Sequence, residues 1–130
     1  PPGTGGEPLT IAQLIPDTKV VIITTPQEIS VLDSYKAISF AKQLSLNILG
    51  VVENMSGYIC PHCGNEVDVF KTGGGEKAAA ETDIPFLGRI PFNPEVVING
   101  DAGKSVFDNE SNASKAFTKI ADLIDEKCSL

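Results

Sequence analysis

Two short aliphatic runs, and the stretch between them, limit the fold of this chain more than any other feature. Val20-Val21-Ile22-Ile23 and Ile48-Leu49-Gly50-Val51-Val52 carry no polar alternation, the pattern of strands buried on both faces of a parallel sheet. Between them Val31, Tyr35, Ile38, Ala41 and Leu44 recur at helical spacing. Ser30 is expected as the N-cap of this helix, with Asp33 in its first turn. Strand, helix, strand at this distance is a βαβ unit, whose connection is right-handed. Phe86-Leu87-Gly88-Arg89-Ile90 reads as a third strand. Asn93-Pro94-Glu95 supplies an N-cap, a proline at the first helical position and an acidic first turn, with Gly100 as the stop. A last helix shows Ala113, Ala116, Phe117, Ile120 and Ile124 on one face, and a short one near the start carries Ile11, Leu14 and Ile15 before Pro16. The fold class is therefore α/β, with a mostly parallel sheet and flanking helices.

Residues 53–75 break this rhythm. They hold Asn54, Met55, Gly57, a Cys60-Pro61-His62-Cys63-Gly64 run and the Gly73-Gly74-Gly75 triplet, and read as a functional insertion. Two thiolates at Cys-x-x-Cys spacing can face one metal across a tight turn through Pro61 and His62. Gly64 leaves room for backbone amides to approach sulfur. A tetrahedral zinc site or an iron–sulfur cluster needs four ligands. Cys128 and His62 are candidates for the remainder, His62 being poorly placed within the turn. The simplest supply is a second copy of the chain across a two-fold axis. A thioredoxin-like redox pair competes, but that chemistry needs its first cysteine at a helix N-terminus. Half of a structural zinc ribbon competes as well.

Composition excludes several classes. A net charge of −7 over 130 residues leaves no basic surface for nucleic acid. No apolar run approaches the length that spans a bilayer. The chain opens without Met, inside a Pro/Gly turn, and has no signal-peptide pattern; it is expected to be the later part of a longer one. Three cysteines, two of them in the close pair, do not form a secreted disulfide framework, so a reducing cytoplasm is expected.

Signals for nucleotide are subtler. No Gly-x-x-x-x-Gly-Lys-Ser/Thr loop is present, and Gly73-Gly74-Gly75-Glu76-Lys77 reads as a hinge or the start of a helix instead of a phosphate cradle. The Pro1-Pro2-Gly3-Thr4-Gly5 segment can present backbone N–H groups to a phosphate. Asn54 sits just beyond a buried strand, where open α/β sheets bind ligands. Its amide both donates and accepts, which suits a purine edge.

Taken in order, five segments resemble the Mrp/ApbC family of P-loop ATPases that carry iron–sulfur clusters, relatives of MinD. These are Pro1-Pro2-Gly3-Thr4-Gly5, Thr24-Thr25-Pro26-Gln27-Glu28, Val52-Glu53-Asn54-Met55-Ser56-Gly57-Tyr58 with its following Cys60-Pro61-His62-Cys63-Gly64, Gly73-Gly74-Gly75-Glu76, and Pro85-Phe86-Leu87-Gly88-Arg89-Ile90-Pro91. The resemblance implies a doubly wound P-loop NTPase sheet, of which residues 1–130 form the C-terminal part with residues 53–75 as a metal-binding insertion. It implies a homodimer in which Cys60 and Cys63 of each subunit bridge one 4Fe–4S cluster, with zinc as a substitute. It implies ATP with magnesium, Asn54 reading adenine, Pro91, Phe92 and Glu95 lining the base, and Gly3 at the switch-II position that senses the γ-phosphate. Hydrolysis would couple to delivery of the cluster to apo iron–sulfur proteins.

Two departures accompany the match. The Walker A loop, switch I and the switch-II aspartate would precede Pro1, so no catalytic residue is assigned, the fragment alone is expected to be inactive, and its sheet is expected to expose an apolar edge. Gly6 stands where the family commonly has aspartate. Two other functions compete: a zinc-bridged structural or regulatory dimer, and a MinD/ParA-like positioning ATPase. The last helix mixes Lys115, Lys119 and Lys127 with Asp122, Asp125 and Glu126 over an apolar face of core width, which argues against a membrane anchor.

Overall fold

A computed structural model describes residues 6–60, 62–108 and 110–129. The expected Pro/Gly turn containing Gly3 lies outside the described residues, as does Pro61. Among the described residues, three parallel strands form the main sheet: β1 (Lys19–Thr24), β2 (Asn47–Glu53) and β5 (Phe86–Arg89), in the order β1-β2-β5. Helix α2 (Glu28–Gln43) joins β1 to β2, and α3 (Gly74–Glu81) precedes β5. α1 (Gly6–Leu14) leads into β1; α4 (Pro94–Asp101), a 3-10 turn (Val106–Asp108) and α5 (Asn112–Cys128) follow β5.

Side-chain alternation along β2 divides the core in two. Val51 faces a cluster with Ile22, Ile38, Ala79 and Ile84, under α2 and α3. Val52 faces the opposite cluster, with Leu87, Ile90 and Ile120, under α5. Both faces of β2 are thus covered, which is why its sequence is continuously aliphatic. β1 departs from that expectation: Ile23 is 67% exposed. β1 lies at the end of the sheet, and α5 packs on β5 and β2, so the α5-side cover thins out toward β1. A groove of about 710 Å³ runs along β1 between α1 and α2, and Ile11, Leu14 and Ile15 are exposed beside it.

Helix boundaries follow local chemistry with one correction. α2 begins ahead of Ser30: Gln27 is its N-cap, with no side-chain capping bond, and Glu28 occupies the first turn. Ser30 instead turns its hydroxyl back to the strand end, accepting from the Thr25 N–H at 3.1 Å and sharing a bond with Thr24 Oγ1. Asp33 pairs with Lys36. Asn93 caps α4 by accepting from the Glu95 N–H at 2.9 Å, with Pro94 following it. That helix passes through Gly100 and ends at Asp101. Ser111 caps α5.

Gly50 permits the close approach of β2 and β5: a Cβ there would lie 2.5 Å from Leu87 Cγ and 2.7 Å from the Pro85 carbonyl oxygen. Gly100 is helical with nothing within 4 Å of a Cβ. Gly50→Ala is therefore expected to lower stability by about 1–3 kcal/mol through overpacking. Gly100→Ala is expected to raise it by roughly 0.5–1 kcal/mol. Urea denaturation of the two variants, giving changes of opposite sign, checks both.

Candidate functional site

The cysteine insertion is an antiparallel hairpin, where a loop was expected. β3 (Tyr58–Ile59) pairs with β4 (Glu66–Val67), Tyr58 opposite Val67 and Ile59 opposite Glu66. The Cys60 N–H donates to the Asn65 carbonyl at 2.9 Å, closing the hairpin end, and the Gly64 N–H donates to the Cys60 carbonyl at 2.8 Å. Gly64 has φ 71° with nothing within 4 Å of a Cβ; glycine is needed there for its left-handed backbone, not for space. Hydrogen bonding from the Cys63 and His62 backbone N–H groups, and from the Cys63 thiol, holds the Cys60 thiol below its ordinary range, against a smaller opposing effect of burial. A thiolate so stabilised is the form that ligates metal. Cys60 is partly exposed and Cys63 exposed, both free. The donor chemistry fits a soft, thiolate-seeking metal or cluster.

No group of three or more His, Cys, Asp or Glu among the described residues is arranged to hold a metal ion. Cys128 does not join the pair. It ends α5, and its carbonyl accepts from Lys19 Nζ at 3.0 Å, at the start of β1. The hairpin departs from the other end of the parallel sheet, after Glu53 closes β2. His62 likewise joins no group of three or more potential ligands among the described residues.

Beneath the hairpin is a residue that the sequence reading passed over. Glu53 is fully buried. Its Oε1 accepts from Ser56 Oγ and from the Gly73 N–H at 2.8 Å, and its Oε2 accepts from the Gly75 N–H. Arg89 Nε lies 3.5 Å away, and the same guanidinium reaches Glu76. Gly73-Gly74-Gly75 is thus the start of a helix, and the anion at that helix N-terminus is the protein's own carboxylate. A Cβ on Gly75 would meet Thr24 Cγ2 at 2.8 Å and Glu53 itself at 3.1 Å. The available signal was a charged residue ending an aliphatic run, which must find donors if the strand is buried.

On the nucleotide side, the Asn54 N–H donates to the Thr24 carbonyl at 2.7 Å, and Asn54 Oδ1 accepts from the Met55 N–H at 3.0 Å. Pro91, Phe92 and Glu95 line one cleft of about 390 Å³ together with Tyr58 and Ser111; Asn54 is not part of its wall. The Phe92 ring sits 6.0 Å from that of Tyr58 and edge-on to Phe70 at 5.7 Å. The Phe92 N–H donates to the Gly57 carbonyl, so the cleft and the hairpin share a wall. Asn54, the hairpin and residues 91–95 all follow the C-terminal ends of parallel strands, the edge at which such sheets bind ligands.

Comparison with known proteins gives the family and the fold. The family model described as "ParA: NUBPL iron-transfer P-loop NTPase" matches residues 1–125. The iron-sulfur cluster carrier protein of Methanocaldococcus jannaschii is 50% identical over 98% of this chain, and that of Pyrococcus abyssi 44% over the same share. The chain spans 44% and 43% of the length of these two relatives. A nucleotide-binding protein of Archaeoglobus fulgidus, solved in complex with ADP, superimposes with a TM-score of 0.68 at 37% identity, covering 80% of this chain and 43% of its own. The septum site-determining protein MinD of Pyrococcus horikoshii, complexed with Mg-ADP, gives 0.64 at 25% identity over 85% of this chain and 42% of its own. The fold is that of the doubly wound P-loop NTPases, and the chain belongs to their iron-transfer family, the one its ordered motifs resemble.

Proposed function

We propose that the complete protein is a cytoplasmic iron–sulfur cluster carrier, in which Cys60 and Cys63 supply half of the ligands of a 4Fe–4S cluster and the same pair of a second copy supplies the rest. The observation that carries this reading is the hairpin itself. It presents two thiols at an accessible tip, stabilises one as thiolate through backbone N–H groups, and has no further cluster of ligating residues near it among the described residues. Two such tips facing across a two-fold axis complete a four-thiolate set. The cluster is cargo, passed on to apo iron–sulfur proteins, and exposure of Cys63 suits a ligand that must be exchanged.

ATP with magnesium is proposed to bind at the same edge of the sheet in the complete protein, with Asn54 directed to adenine and Pro91, Phe92 and Glu95 beside the base. Bound there, it would supply the free energy of hydrolysis that drives delivery. What these residues contribute is position. The Asn54 backbone is held by Thr24 while its side-chain NH2 remains to donate. Phe92 offers an aromatic face already ordered against Tyr58. Gly3 is proposed at the γ-phosphate.

Two outcomes test the proposal. Cys60→Ala and Cys63→Ala are each expected to abolish cluster uptake in anaerobic reconstitution, and Cys128→Ala to leave it unchanged. Iron analysis and the brown chromophore report the result, and full iron in Cys63→Ala would sink the assignment. Asn54→Ala in the full chain is expected to weaken ATP binding about tenfold, the worth of roughly one hydrogen bond, without altering iron uptake. Titration calorimetry checks it, and an unchanged Kd would remove Asn54 from the nucleotide site.

A further inference from the structure

We infer that Glu53 is the positioning residue that ties the cysteine hairpin to the turn at Asn54, by bonding both ends of the insertion to one buried carboxylate. The inference rests on the carrier reading above. Residues 54–72 leave the sheet after β2 and return at Gly73. At the outgoing end Ser56 Oγ donates to Glu53; at the returning end the Gly73 N–H donates to the same oxygen. The Gly75 N–H fixes α3 to the second oxygen, and Arg89 extends the knot from the end of β5 to Glu76. The carboxylate is fully buried and its partners among the described residues are Ser56, Gly73, Gly75 and Arg89, so it acts through other groups.

The turn between this knot and the hairpin is narrowly determined. Asn54 is held by the Thr24 carbonyl, and Ser56 donates its N–H to the Ile90 carbonyl. Met55, between them, sits at φ 56°, a left-handed conformation uncommon for a residue with a side chain. Gly57 follows at φ 73°. A displacement of Asn54 by a bound nucleotide therefore cannot be absorbed locally. It passes to its covalent neighbour Glu53, and through Ser56 and Gly73 to both legs of the hairpin. Among the described residues, further ties of the hairpin are the Phe92 contacts with Gly57, Tyr58 and Phe70 and the exposed pair of Lys71 with Glu28.

The test is the alkylation rate of Cys60 and Cys63 by iodoacetamide in the full, cluster-free chain, with and without Mg-ATP. Iron uptake by each variant beforehand shows that it is folded. In the wild-type chain the two rates are expected to differ by about fivefold or more, the usual scale of coupling between two sites. In Glu53→Gln, whose amide leaves at least one of Gly73 and Gly75 unpaired, the ratio is expected to fall to near one. Ser56→Ala, which frees only the outgoing leg, is expected to give a smaller ratio than wild type while folding normally. A uniformly loosened hairpin would raise both rates and leave their ratio alone, so the ratio separates positioning from mere support. A wild-type ratio retained in Glu53→Gln, or in Ser56→Ala should the first variant not fold, overturns the inference, as does a ratio of one in the wild type. Failure of the wild type to take up iron is a different result: it removes the carrier reading on which the inference rests.

Discussion

A single buried carboxylate holds the functional half of this molecule together. Ionised Glu53 without partners would cost several kcal/mol in a dry interior. Its donors come from three parts of the chain: Ser56 just after β2, the Gly73 and Gly75 amides at the start of α3, and Arg89 at the end of β5. Satisfying one charge thus requires all of them to be in place at once. The glycines follow from the same constraint. Gly75 must lack a Cβ because Thr24 and Glu53 already fill that space, and the helix N-terminus is oriented toward the carboxylate by its own dipole.

Strand direction then sorts the chemistry. Because β1, β2 and β5 run parallel, the segments that follow them all emerge on one edge. That edge carries Asn54, the Cys60 and Cys63 hairpin, and the cleft of Pro91, Phe92 and Glu95. Lys19 and Cys128 lie at the other edge. The third cysteine is thereby separated from the pair by the length of a strand, about 17 Å at the usual rise per residue. Two thiols on an accessible tip, with no group of three or more ligating residues among the described residues, suit the proposed half of a symmetric site.

Much of the architecture could be read from residue patterns, and the misses have physical causes. The βαβ unit, the third strand, the Asn93 cap and the Ile120 face of α5 follow from periodicity and local hydrogen bonding, which sequence expresses directly. Ser30 misled as an N-cap because its hydroxyl found a better partner in Thr25, a contact set by where the strand ends. Ile23 was expected to be buried because aliphatic runs do not reveal which strand lies at the end of a sheet. The hairpin went unread since two-residue strands carry no period. Gly64 was expected to leave room for amides near sulfur, whereas a Cβ there would meet nothing within 4 Å and what the position requires is its left-handed backbone. Glu53 was quoted as one letter of a motif; its role depends on Gly73, Gly75 and Arg89, far along the chain, and no local pattern encodes it. Cys60 and Cys63 stood out because their spacing is itself the geometric requirement for sharing a metal.

In the proposed carrier each chain holds half a cluster site. Native mass spectrometry of anaerobically purified protein tests it most directly, because it reads subunit number and inorganic cargo in one measurement. A species of two chains with a single 4Fe–4S cluster is expected, dissociating to monomers as the cluster is lost. A monomer that retains a complete cluster, or a dimer whose only metal is one zinc ion under strictly anaerobic conditions, would contradict it.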